Sequence, residues 1–246
     1  MTPHTVLILI LLGLAASGAS LIGGVVALKN QDRLQKLLGL TAGILLGVVF
    51  FGILPELVEL ARGTYAISTA MIALMAGFLV FHIVEKSILI SHADETQYGA
   101  HHHPHVGWAS ALALAGHSFL DGIGIGLAFW ANPAVGFAVA TAVVAHSFSD
   151  GLNTVNLMLL HKNNRRRAIM MLVVDALAPL LGILLSLVFH MGDGFILFYL
   201  SFFAGFLLYI AAAEILPEAH SKRSSYSTIL LTIIGAVVMY FVTRLA

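Results

Sequence analysis

Two six-residue stretches, HSFLDG at 117–122 and HSFSDG at 146–151, each place a histidine four residues before an aspartate inside a long apolar run. On a helix that spacing puts both side chains on one face, one turn apart. Imidazole nitrogen and carboxylate oxygen together form a ligand set for zinc-like divalent cations. A single His–Asp pair has a second, weaker explanation as a self-satisfied ion pair stapling two helices. Two copies in the same register are harder to explain by stability, because apolar packing serves a membrane-depth core better than buried charge. The metal candidates are therefore His117, Asp121, His146 and Asp150. Ser118 and Ser147 add weaker oxygen donors directly after each histidine, and Asn153 adds an amide near Asp150. Asp175, within VVDALAPLLG, is a carboxylate well inside another apolar run, and a third acid facing the same site accounts for it. Glu214 lies in mid-run elsewhere and is a candidate pathway or gating acid.

Membrane-crossing helices must position these groups. Of the 246 residues, 59% are hydrophobic and 10% charged, and the mean hydropathy is +0.97, too apolar for an ordinary soluble domain. Apolar windows of about 20 residues, enough to cross a bilayer, fall near 5–28, 37–59, 66–90, 107–130, 133–160, 168–191, 194–217 and 226–245. The expected fold is all-α, a polytopic membrane protein of eight transmembrane helices forming a single domain over 1–246. Asn132-Pro133 alone divides the fourth and fifth spans, which makes them antiparallel neighbours able to converge on one site. Glycines 122, 124, 126 and 151 allow close helix approach there. The chain has no cysteine and no net charge, so thiolate ligands and disulfides are excluded and nothing points to nucleic acid.

All basic residues except Arg62 and Arg244 lie in the loops after the first, third, fifth and seventh spans. The positive-inside rule puts those loops in the cytoplasm and both termini outside, with the first span retained rather than cleaved. The second of these loops is a polar segment, 91–106, between the third and fourth spans. It carries His92, His101, His102, His103 and His105. As a flexible cytoplasmic loop it would be either a loose metal-capture site or a solvated linker.

Ile53-Leu54-Pro55-Glu56, near the end of the second span, is echoed by Ile215-Leu216-Pro217-Glu218 near the end of the seventh. The same tetrapeptide on oppositely directed helices is what an inverted repeat predicts. Together with GFLVFHIVEK at 77–86 and LSFFAGFLLYIAAAEILPE at 200–218, the span count, loop position and paired motifs resemble the ZIP (Zrt/Irt-like protein) metal transporters over essentially the whole chain. The resemblance implies a 3+2+3 bundle with inverted repeats and a metal site between the fourth and fifth helices. It matches His117, Asp121, His146 and Asp150 to the transport-site ligands and Asp175 to the sixth-span acid. It also implies movement of Zn²⁺, Fe²⁺, Mn²⁺ or Cd²⁺ toward the cytosol, with one helix group sliding past another.

The departures are specific. Many family members place an acid or amide after each histidine, where this chain has Ser118 and Ser147, and Leu120 and Ser149 also leave the common pattern. One strong site is expected, with a second through Asp175 weak or absent. The expected partners are divalent cations and the lipid bilayer, with no cofactor beyond the transported ion, and a homodimer is left open. The alternative is an integral-membrane zinc-dependent lipid hydrolase, which would use a buried metal to activate water.

Overall fold

The structure, a computed structural model, describes residues 3–28, 35–62, 65–97, 104–189, 192–220 and 225–245. Among them there are eight helices long and apolar enough to cross a membrane, and no strand. They are α1 (Pro3–Ala27), α2 (Gln35–Gly47, continuing through Val48–Ile53 to Leu54–Ala61), α3 (Ile67–Gln97), α4 (Pro104–Ala131), α5 (Pro133–Leu160), α6 (Arg165–Val188), α7 (Asp193–Tyr209, continuing through Ile210–Ile215 to Leu216–His220) and α8 (Tyr226–Leu245). The chain is thus an all-α membrane protein.

One expectation is corrected. The 91–106 segment is not a loop throughout. α3 runs on to Gln97, and α4 begins at Pro104, which narrows the connection to 98–103. A helix has no reason to stop where the apolar run stops, and Ala93, Glu95 and Gln97 are good helix formers. His92 and His105 therefore sit on helical backbone, while His101, His102 and His103 lie outside the described residues.

α2 and α7 share a further irregularity. In each, a π-helical stretch, Val48–Ile53 or Ile210–Ile215, immediately precedes the Leu-Pro-Glu sequence. A proline inside a helix removes one N–H and crowds the carbonyl four residues back. Widening the turn before Pro55 and Pro217 relieves that crowding, and the Leu54 and Leu216 N–H groups reach back five residues to Val49 and Ala211.

Glycine contacts extend this likeness to the whole bundle. A Cβ on Gly23 of α1 would collide with the Phe148 carbonyl of α5, and one on Gly151 of α5 with the Ser20 carbonyl of α1. The same reciprocal clasp joins α4 to α6, through Gly122 on Pro179 and Gly182 on Phe119. It recurs between α2 and α8, through Gly43 on Thr232 and Gly235 on Leu40, and between α3 and α7, through Gly77 on Phe202 and Gly205 on Leu74. Exchanging α1–α3 with α6–α8 and α4 with α5 carries every clasp onto another clasp. This is the 3+2+3 inverted repeat.

Backbone-to-backbone packing of this kind holds helices rigidly in lipid, where no hydrophobic drive joins them. The clasps make four pairs; the α4–α5 hairpin and the packing of α1 on α6 join two of them into one group of α1, α4, α5 and α6, beside another of α2, α3, α7 and α8. Between the groups the contacts run through side chains. A Cβ on Gly124 would meet the Phe203 ring, Gly52 lies opposite Ala138, and the Phe206 ring packs edge-on to His117 at 4.4 Å between centroids. The outer faces are apolar, with Ile72, Met75, Ile83, Leu230 and Phe241 exposed to the lipid phase.

A clasp glycine should therefore be far less replaceable than a free one. Gly122→Ala should destabilise the purified protein by about 1–3 kcal/mol, the usual cost of overpacking. Gly18→Ala, at a glycine with no atom near its Cβ position, should be neutral or mildly stabilising. Thermal unfolding of the two variants in detergent compares them directly.

Candidate metal centre

The site is built at the α4–α5 hairpin. Asn132 turns the chain and caps α5, its Oδ1 accepting from the Ala134 N–H at 2.9 Å, and Pro133 occupies the first turn, where its missing N–H costs nothing. The tight turn sets the register of the two antiparallel helices, and that register brings the HSFxDG copies face to face.

One ligand atom each from His117, Asp121, His146 and Asp150 lies within 4.8 Å of the others, and all four residues are buried. Asp121 Oδ2 is the hinge of the cluster, 3.0 Å from His146 Nε2 and 3.3 Å from His117 Nε2. Asp150 Oδ2 lies 3.6 Å from His146 Nε2. The carbonyl of Ala142, 2.8 Å from His146 Nδ1, accepts that nitrogen's proton and turns Nε2 into the cluster. A neutral imidazole so oriented points a lone pair at a carboxylate oxygen, an arrangement that needs a proton or a metal ion between them. His117 Nε2, Asp121 Oδ1 and Asp150 Oδ2 are buried without hydrogen-bond partners. Buried polar atoms are seldom left unpaired, and here three converge within one group of ligand-type side chains. Two imidazoles and two carboxylates offer nitrogen and oxygen to a divalent ion and cancel its charge.

The serines and Asp175 stand differently. Ser147 Oγ donates to its own helix at the Val143 carbonyl, 2.7 Å away. Ser118 Oγ donates to Asp175 Oδ1 at 2.7 Å, and Ser20 Oγ of α1 donates to Asp175 Oδ2 at 2.6 Å. Both carboxylate oxygens of Asp175 are thereby engaged, and the residue ties α1, α4 and α6 together beside the four-ligand cluster. Asn153 is partly buried on α5, three residues beyond Asp150. Glu214 lies in the π-helical stretch of α7, partly buried.

Sequence reasoning missed Ser20, whose only signal was a run of small residues in the first span. It also missed the aromatic wall on His117, where the Phe81 and Phe206 rings meet the imidazole edge-on. Both phenylalanines fall in the quoted 77–86 and 200–218 stretches, but nothing local marked them as neighbours of the site.

Comparison with known proteins adds the final observation. The family model described as ZIP zinc transporter matches residues 85–243, well over half of the chain and including both HSFxDG motifs and the second ILPE sequence. No curated protein matches the chain at significant similarity. With the eight spanning helices and the buried His/Asp cluster, the match establishes that the chain belongs to the ZIP zinc transporter family, a family of divalent-metal transporters.

Proposed function

We propose that the chain, acting as one transporter domain in a cell membrane, carries a single divalent transition-metal ion, Zn²⁺ first among them, toward the cytosol. His117, Asp121, His146 and Asp150 are its ligands. The convergence of four buried ligand atoms within 4.8 Å carries this reading. A loaded site of two neutral imidazoles, two carboxylates and one M²⁺ has no net charge, which makes the ion's partial dehydration tolerable at bilayer depth.

Residual exposure supports a route toward the cytoplasmic end. The side chains of His117 and Asp150 keep 10% and 9% of their surface accessible, whereas Asp121 keeps 1% and His146 none. His117 and Asp150 are the two ligands nearer the helix ends that border 98–103 and 161–164. This supports a site that opens, slightly, toward that end and is closed toward Asn132. The basic residues concentrate at the same end, which supports its being cytoplasmic, with the termini outside. The division into two glycine-clasped groups supports alternating access in which α1, α4, α5 and α6 carry the ion past α2, α3, α7 and α8. Glu214 would then line the inner route, and the histidines of 91–106 would receive or buffer the released ion.

In proteoliposomes, His146→Ala and Asp150→Ala should each abolish Zn²⁺ uptake while the proteins elute and unfold like the parent. Full residual flux in both would sink the proposal. Titration of the purified protein should give one ion per chain. Asp175→Asn should keep that stoichiometry, because Asp175 is committed to two serines, and a fall in ion count would make it a ligand after all. The double change Ser118→Asn, Ser147→Asp should add a second ion.

Protons and metal compete for the same lone pairs, so affinity should fall as pH falls, with protons released on binding. Calorimetry in two buffers of different ionisation enthalpy measures that release, and buffer-independent heats would contradict the ligand set.

A further inference from the structure

We infer that Tyr199 is a positioning residue, one that pins the metal-binding turn of α4 to the opposite helix group and so biases the protein toward the form sealed at its Asn132 end. The inference rests on the two-group transport reading above.

Tyr199 lies on α7, its ring stacked between Phe195 and Phe203. Its hydroxyl donates to the Leu120 carbonyl of α4 at 2.7 Å. Leu120 falls between His117 and Asp121, inside the turn that carries both ligands. The bond therefore crosses the seam between the two groups at the level of the metal cluster. A second tie crosses at the Asn132 end, where Asn132 Nδ2 donates to Glu56 Oε2 of α2 at 3.1 Å.

The inverted repeat makes the tyrosine bond informative. In such a fold the two access states arise by exchange of the repeats' conformations, so the α4–α7 contact of one form becomes the α5–α2 contact of the other. The clasp and ILPE correspondences match Tyr199 to Leu37, and the paired motifs match Leu120 to Ser149. Leucine has no donor, and Ser149 Oγ is buried without a partner. The tyrosine bond has no replacement in the exchanged form. An interaction present in one state and missing from the other shifts their populations by its differential strength.

The absence of native cysteine allows a clean test. Ala138 of α5 is fully buried, with its Cβ facing Gly52 of α2 at the sealed end. Ala16 of α1 is also fully buried, but inside one group. Single cysteines at Ala138 or Ala16, each with and without Tyr199→Phe, are labelled in lipid nanodiscs with a membrane-impermeant maleimide. Tyr199→Phe should raise the initial labelling rate at position 138 about fivefold, the population equivalent of one neutral hydrogen bond, and leave position 16 unchanged. Equal rates at 138 would overturn the inference. A parallel rise at 16 would also overturn it, since the tyrosine would then merely hold the fold together. A selective rise at 138 in a protein that shows no metal flux would uphold the role of Tyr199 and overturn the transport reading instead.

Discussion

Two carboxylates and two imidazoles held at bilayer depth must have their charges balanced by protons or a metal ion, and the rest of this structure holds them in place for it. The ligands come from two helices, so the cluster exists only if α4 and α5 keep one register. The Asn132-Pro133 turn sets it, and the glycine clasps to α1 and α6 keep it from slipping. Backbone contact does this better than interdigitated side chains, because it leaves no rotamers through which neighbouring helices could creep past each other. The seam to α2 and α7 is built the other way, with aromatic rings and small side chains meeting across it. Rigid packing around the four-residue cluster and softer packing between the groups are what the alternating access proposed above would need.

The inverted repeat is close in backbone and broken where chemistry is placed. Under the exchange that maps clasp onto clasp, Asp175 corresponds to the buried Ala16, and Glu214 to the buried Gly52. The C-terminal repeat carries both additional acids. On the alternating-access reading proposed above, symmetry in the packing would let two access states be nearly equal in energy, and asymmetry in the polar groups would decide which is preferred. Asp175, bracketed by Ser20 and Ser118, shows how a carboxylate in a ligand-rich neighbourhood can be absorbed into helix-to-helix hydrogen bonding. Two hydroxyl donors satisfy its oxygens, as buried charge requires.

Much of this was legible in the residues. Span number followed from length and hydropathy, because a bilayer admits few alternatives to a helix of about 20 apolar residues. The facing of His117 with Asp121, and of His146 with Asp150, followed from helical periodicity. The end of α3 was not legible. Hydropathy reports where lipid stops, whereas a helix ends where backbone hydrogen bonding does, and α3 continues to Gln97. The π-helical stretches left only the repeated Ile-Leu-Pro-Glu as a trace.

The sequence by itself determined the membrane class, the helix count, the ligand types and their pairing within each helix, since all of these are local consequences of composition and spacing. Tertiary structure alone decided that the two pairs share one cluster around Asp121, that Ser147 turns to its own helix while Ser118 turns to Asp175, and that Ser20, Phe206 and Tyr199 stand beside the site. These contacts join residues far apart in the chain. No local pattern encodes them, because each depends on which helix faces which, and that is settled by how closely the glycines let the backbones meet.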